Sequence, residues 1–321
     1  MRGTMIVSLD FELSWGMLDS KRYPTYQEHI AGGRRAIPEL LKMFTDHGIH
    51  ASWAVVGCMF ADGYEDLKQY MPSEELRPTY EDSRFSAYHY MDLAAGNEET
   101  APNFYAPSLI KKIAETKGQE IASHTFSHYY CREAGQTPDQ FRNDLIAAKR
   151  IAAAKGYDLK TIVLPRNQCE EKYVQVMAEE GFLAYRDEEH DWIHEKIPNN
   201  LLKRGFRLMN AYLPLTGQGD YHPWVDHGVL NLAGSRMYRP IYERLEPLEN
   251  LKIRRIKKQM LHAARKGLTI HLWWHPHNIG MRTEEHLKQL EEIFSYYDYL
   301  KKRYRMRSMN MLEAARAYRK Y

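Results

Sequence analysis

Thr4-Met5-Ile6-Val7-Ser8-Leu9-Asp10-Phe11-Glu12 opens the chain with an apolar, partly β-branched run that lacks Pro and Gly. Such a run predicts a strand buried on both faces, as in a parallel sheet. The two-residue side-chain period places Asp10 and Glu12 on one side at its carboxyl end. Residues 34–47 then carry Ile37, Leu40, Leu41 and Phe44 at helical spacing and stop at Gly48. Residues 49–56 read as a second strand. Strand, helix, strand is the rhythm of a parallel sheet covered by helices.

The rhythm continues along the chain. Helices are predicted over 107–117, 138–155, 170–180, 251–266, 284–303 and 309–319. Strands are predicted at Glu120-Ile121-Ala122, over 161–164, 182–185 and 268–274, and at 229–232. Residues 57–106, with Pro72, Pro78, Pro102 and many Tyr, form an elaborated loop after the second strand. Their aromatic side chains either pack the loop down or contact a sugar, and packing is favoured. Residues 193–223 read as irregular, broken by Gly205, Gly217 and Gly219. In the 251–266 helix, Ile253, Ile256, Met260 and Ala264 form the apolar stripe. Lys252, Arg255, Lys258 and Arg265 fall on a solvated face, or on one that attracts phosphates or an anionic membrane. No repeat or low-complexity tract interrupts what reads as one domain over 1–321.

The chain has 321 residues, 44% hydrophobic and 27% charged, an ordinary globular balance. A net charge of +3 does not argue for nucleic acid as a partner. Cys58, Cys131 and Cys169 are odd in number and never spaced C-x-x-C, which suggests buried thiols in a reducing compartment. The N-terminal residues carry no signal-like apolar region, so a cytoplasmic protein is expected.

Each polar cluster follows a predicted strand: Asp10 and Glu12, His124 and His128, Arg166, Asp187 and Asp191, His275. In a parallel barrel, that is the catalytic face. His124 and His128 stand four apart in Ser123-His124-Thr125-Phe126-Ser127-His128. One carboxylate and two imidazoles can make a three-ligand metal site with an open position. A second carboxylate can take a proton from water, and a further histidine can protonate a leaving amine. On the last strand, His271, Trp273 and His275 share one side.

These residues resemble the NodB-type polysaccharide deacetylases, the carbohydrate esterase family 4-like group. Ser8-Leu9-Asp10-Phe11-Glu12 is similar to that family's first motif, although here Phe11 separates the two acids. His124-Thr125-Phe126-Ser127-His128 matches the second motif residue for residue. Pro165-Arg166-Asn167-Gln168 is similar to the third, Asp187 through Asp191-Trp192 to the fourth, and Leu272-Trp273-Trp274-His275 to the fifth. The resemblance spans residues 5 to about 280. It implies a distorted (β/α) barrel of about seven parallel strands, with residues 57–106 as an insertion after strand 2 and C-terminal helices over 281–321.

The resemblance further implies Asp10 as base, His275 as acid and Arg166 as the group orienting Asp10. Glu12, His124 and His128 become the ligands of one divalent ion, zinc foremost, with cobalt, nickel, iron or manganese also suited. The roles of Asp10 and Glu12 can be swapped, and His271 and His277 rival His275. Asn167, Gln168, Asp191, Trp192 and Trp273 would line the substrate. The expected reaction removes an N-acetyl group from an amino sugar, on a nucleotide- or lipid-linked precursor of surface polysaccharide. Peripheral contact with an anionic membrane or lipid-linked glycan would fit that substrate. A deformylase or other C–N amidohydrolase, and a non-catalytic carbohydrate-binding protein, share the resemblance.

Overall fold

The computed structural model describes residues 2–197 and 201–318. Its strands are β1 (Thr4–Phe11), β2 (Ala51–Val55), β3 (Gln119–Ser123), β4 (Thr161–Val163), β5 (Ala184–Arg186), β6 (Trp224–Asp226), β7 (Val229–Asn231), β8 (Arg236–Met237), β9 (Thr269–Trp274) and β10 (Arg307–Met309). Its helices are α1 (Gln27–His47), α2 (Tyr64–Lys68), α3 (Pro107–Glu115), α4 (Pro138–Ala154), α5 (Glu171–Glu179), α6 (Trp192–Lys196), α7 (Leu201–Tyr212), α8 (Glu249–Lys266), α9 (Thr283–Tyr304) and α10 (Met311–Tyr318). The expected last helix ends at Arg319, which lies outside the described residues.

One sheet runs β6-β7-β5-β4-β3-β2-β1-β9-β8, with β10 added against β1. Every pairing is parallel except β6 with β7. Residues 229–238 join the two ends of this sheet. Leu232 and Gly234 donate backbone N–H groups to the carbonyls of Tyr185 and Asp187, whereas Ser235 and Tyr238 donate to His271 and Trp273. The sheet therefore curls into a distorted barrel whose staves are β1 to β5, the β7–β8 segment and β9.

The barrel interior is layered. Inside the barrel, Ile6, Ala54, Ala122, Val163, Ala184 and Leu230 form an apolar floor against Met311, Ala314 and Ala315 of α10. Glu120 anchors that plug, accepting from Ser52 Oγ (2.5 Å), Thr161 Oγ1 (2.5 Å) and the Leu312 N–H (3.0 Å). A carboxyl group at a helix N-terminus complements its dipole. Above the floor the inward residues turn polar: Ser8, Asp10, His124, Arg186 and His271 are all buried. Outward residues of the same strands, such as Val7, Leu9, Ile270 and Leu272, join the core beneath the helices.

α1 begins earlier than its apolar spacing indicates. Gly32 and Gly33 let the helix lie against the backbone of Gly280 and His277, so the turn before residue 34 gains contacts that no side-chain pattern reports. The 57–106 insertion packs down: Met59, Phe60, Leu67, Phe104 and Tyr105 are in the core, and Tyr105 Oη donates to the Ala94 carbonyl.

Residues 193–223 are not irregular, because they contain most of α6 and all of α7. α8 also departs from expectation. Lys252 and Arg255 are buried rather than solvated, Lys252 pairing with Glu249 (2.5 Å) and Arg255 donating to Asn210 Oδ1 (2.7 Å).

Candidate metal centre and catalytic face

The side-chain period of β1 carries Asp10 and Glu12 into the barrel mouth, both nearly inaccessible to solvent. Glu12 bends against Gly16. A Cβ at Gly16 would lie 2.1 Å from the Glu12 carboxyl carbon, so any other residue there would displace that carboxylate from its present position. β3 delivers His124, and the following turn delivers His128. That turn holds two residues with left-handed backbone, Thr125 (φ 64°) and His128 (φ 57°). Such conformations cost of order 1–3 kcal/mol for non-glycine residues and persist only where the surroundings enforce them. Here Asp144 of α4 does so, accepting from the Phe126 N–H (2.6 Å), the Ser127 N–H (3.1 Å) and Ser127 Oγ.

Glu12 Oε2 lies 3.0 Å from His128 Nε2 and 3.3 Å from His124 Nε2. His124 Nδ1 donates to the Val163 carbonyl at 2.8 Å, which leaves a lone pair on Nε2 of the neutral ring. Nε2 is buried and has no aligned hydrogen bond. Two electron-rich atoms thus face each other in a buried site, an arrangement that calls for a cation between them. Ligand atoms of Glu12, His124 and His128 all lie within 4.8 Å of one another, so the donor set fits a divalent metal. Burial pushes the Glu12 carboxyl up, but the neighbouring His275, His124 and His128 outweigh it and hold the group well below the usual range.

Asp10 is held from the opposite wall by Arg186. Nη1 donates to Oδ1 and Nη2 to Oδ2, each at 2.7 Å. Arg186 also donates from Nε to Asn167 Oδ1 (3.0 Å) and from Nη1 to Ser8 Oγ (2.8 Å), and it stacks on the Trp273 ring at 4.3 Å. Burial pushes the Asp10 carboxyl up, yet Arg186, His275 and His124 bring it below its ordinary value.

His275 Nε2 stands 3.6 Å from both Asp10 Oδ2 and Glu12 Oε1, while its Nδ1 donates to Asn278 Oδ1 at 3.2 Å. Its side chain keeps 20% exposure, so the ring reaches solvent. His271 is sealed inside, with Nδ1 donating to the Leu232 carbonyl and Nε2 accepting from Ser8 Oγ. Burial pushes His271 down to about 3, with Arg186 adding to the effect. Burial, then the neighbouring His275, does the same to His277, whose Nδ1 is 3.9 Å from Glu12.

The other expected residues scatter. Arg166 does not reach Asp10: it pairs with Asp19 and with Glu133 (3.2 Å) and stacks on Tyr130 (4.3 Å). The left-handed backbone at Arg166 (φ 56°) and Asn167 (φ 51°) throws the arginine outward and its neighbour inward. Asn167 is therefore at the site, through Arg186. Gln168 bonds the backbone N–H of Arg132 and the carboxylate of Glu133 at the surface. Asp191 caps α6, accepting from the N–H groups of Ile193 and His194, and Trp192 lies on Phe206 (5.7 Å). Neither touches the metal ligands. Trp273 lines the site beneath Arg186 and beside His275 (5.8 Å).

Arg186 and Asp144 are the residues the sequence reading missed. Ala184 and Arg186 alternate into the barrel, and a charge on the inward period of a buried strand was the available signal. Asp144, on the apolar face of α4 among Phe141, Leu145 and Ala148, offered a similar one.

The sequence profile of the family described as Polysaccharide deacetylase matches residues 25–185, half of the chain. The window contains His124 and His128 but stops short of Asp10, Glu12, Arg186 and His275. Among solved structures, the chain is similar to a polysaccharide deacetylase-type protein of Mycobacterium smegmatis, with TM-score 0.61 and 15% identity over 100% of this chain and 92% of that one. It is similar to another of Pseudomonas aeruginosa PAO1, with TM-score 0.61 and 13% identity over 99% and 91%. Puue allantoinase has the same fold, with TM-score 0.56 and 13% identity over 99% and 90%. At these identities the likeness concerns the fold alone. No curated protein matches the sequence.

Proposed function

The chain belongs to the polysaccharide deacetylase family, and from that premise we propose that it is a metal-dependent hydrolase removing the N-acetyl group of an amino sugar. We place the sugar on a nucleotide- or lipid-linked precursor of surface polysaccharide, handled in the cytoplasm. The free, buried Cys58, Cys131 and Cys169 fit such a reducing compartment. The observation that carries the reading is the facing of Glu12 Oε2 and the unpartnered His124 Nε2 at 3.3 Å, with Asp10 and His275 beside them.

Glu12, His124 and His128 would hold the cation, zinc foremost among those that suit the set. A divalent cation supplies Lewis-acid polarisation of the acyl carbonyl and acidifies water. Asp10 takes the proton of the water that attacks the acyl carbon. Arg186 keeps Asp10 ionised and fixes its orientation, since a bidentate guanidinium favours the charged carboxylate. His275 in its cationic form carries a proton on Nε2 and delivers it to the departing nitrogen. His271 and His277 are unsuited to that step, because burial keeps both neutral near pH 7.

Metal analysis of the purified protein, with acid release scored across acetylated nucleotide sugars, acetylated oligosaccharides, formylated sugars and cyclic ureides, tests the reading. Bound divalent metal and acetate release are expected. Formate release would select a deformylase, ammonia or ureide opening another amidohydrolase, and metal without turnover a binding protein.

A further inference from the structure

Each carboxylate oxygen of Glu12 faces a different pair of imidazoles. Oε2 lies toward His124 and His128, the set assigned above to the cation. Oε1 lies toward the turn after β9, 3.6 Å from His275 Nε2 and 3.9 Å from His277 Nδ1. Ligand atoms of Glu12, His275 and His277 all fall within 4.8 Å of one another. The two printed separations exceed hydrogen-bond length. Ligands held about 2.1 Å from a tetrahedral cation stand about 3.4 Å apart, so these groups are spaced for an ion between them.

The fold builds this second trio as firmly as the first. β9 ends at Trp274, and the turn Pro276–Ile279 sets His275 beside His277, with ring centroids 4.8 Å apart and planes 23° from parallel. Gly33 of α1 lies against the His277 backbone, where a Cβ would come within 2.8 Å. Tyr26 packs on the His277 ring at 5.3 Å. His275 Nδ1 donates to Asn278 Oδ1, which leaves Nε2 directed at Glu12. His277 is buried while His275 keeps 20% exposure, so the trio is preformed and still open to an entering ion. The hydrolysis described above gives His277 no part.

We propose that Glu12 Oε1, His275 Nε2 and His277 Nδ1 form a second, weaker divalent-metal site, and that filling it inhibits the enzyme. Zinc is the ion expected, since two imidazoles and a carboxylate suit it well. The second ion binds more weakly because the Glu12 charge is already shared with the first, and Arg186, fixed on Asp10, adds positive charge nearby. As it binds, the Nε2 proton of His275 passes to solvent and the ion takes the lone pair. The acid needed by the departing nitrogen is thereby withheld, while Asp10 and Arg186 keep their places. The inhibition rests on the deacetylase reading; the second site does not.

The test is calorimetric titration of the metal-stripped full chain with zinc, with acetate release from an acetylated sugar followed in parallel. The parent should bind two equivalents, the second at least tenfold more weakly. Acetate release should rise with the first and fall at least fivefold with the second. His277→Phe keeps an aromatic ring but offers no ligand atom. It should bind one equivalent at the parent's tight affinity and stay active in excess zinc. Should that variant not fold, anomalous diffraction from parent crystals grown in excess zinc decides, with a peak expected among Glu12, His275 and His277. A single equivalent in the parent, a second equivalent retained by folded His277→Phe, a second zinc located elsewhere, or full turnover with both equivalents bound would each overturn the proposal. So would loss of the tight equivalent in His277→Phe, which would put the first cation on this trio. Two equivalents in the parent and one in His277→Phe, with no acetate released at any loading, would uphold the site and sink the deacetylase reading alone.

Discussion

Arg186 and Asp10, 176 residues apart in sequence, meet through two parallel hydrogen bonds of 2.7 Å inside the barrel. Neither is more than 3% exposed, so water screens the pair little. Removing one partner of a buried pair leaves an uncompensated charge, at a cost of about 3–5 kcal/mol. Arg186→Ala should therefore lower stability in urea unfolding by that order. Arg186→Lys keeps the charge but loses the fork, and should cut kcat at least tenfold with smaller loss of stability. Arg166→Ala should leave kcat within about threefold of the parent, since surface pairs contribute ~0–1 kcal/mol. A large kcat loss for Arg166→Ala alone would restore the pairing expected from the motif.

Asp10→Asn and His275→Ala should each lower kcat by about 10²–10⁴, the usual contribution of a positioned acid or base. Both should retain metal, because neither residue belongs to the Glu12, His124, His128 set. Retained turnover in either variant would remove that residue from the mechanism.

His128→Ala should lose most of the metal found in the parent, measured by elemental analysis after exhaustive dialysis. Chelation of the parent should abolish acid release, and a divalent cation should restore it. Full activity in the metal-stripped protein would defeat the metal-dependent reading.

Asp144 gives a pH signature. Burial pushes its carboxyl up to about 6, against the hydrogen bonds from Ser127 and Phe126 that draw it down. Between its unfolded value near 3.8 and about 6, the folded protein holds a proton that the unfolded chain has released. Stability from this group is thus present below the unfolded value and falls as pH rises through the window, by up to about 3 kcal/mol. The stability difference between the parent and Asp144→Asn, from urea unfolding, should shift against the parent between pH 4.5 and pH 7. A difference that stays flat would show that Asp144 is ionised throughout.

Glu120 tests the floor of the barrel. Glu120→Ala strands the hydroxyls of Ser52 and Thr161 and the Leu312 N–H, and each unmet buried group costs about 1–3 kcal/mol. Lower stability with unchanged KM is the expected outcome, since α10 plugs the end of the barrel remote from the catalytic mouth. A changed KM would mean that the plug and the mouth are coupled.

Sequence by itself determined the alternation of strands and helices, and the placing of Asp10, Glu12, His124, His128 and His275 at strand ends. Those features are local, following from side-chain period and chain order. It could not determine which arginine meets Asp10, because one left-handed turn at Arg166 and Asn167 turns one side chain outward and its neighbour inward. Nor could it recover α7, whose apolar side faces outward and so reads backwards against the rule that greasy residues are buried. Tertiary structure decided both, since pairing across the barrel and burial of a helix face depend on residues far apart in the chain. The lone pair of His124 Nε2 facing Glu12 arises in the same way, from a carbonyl on the neighbouring strand that occupies the other ring nitrogen.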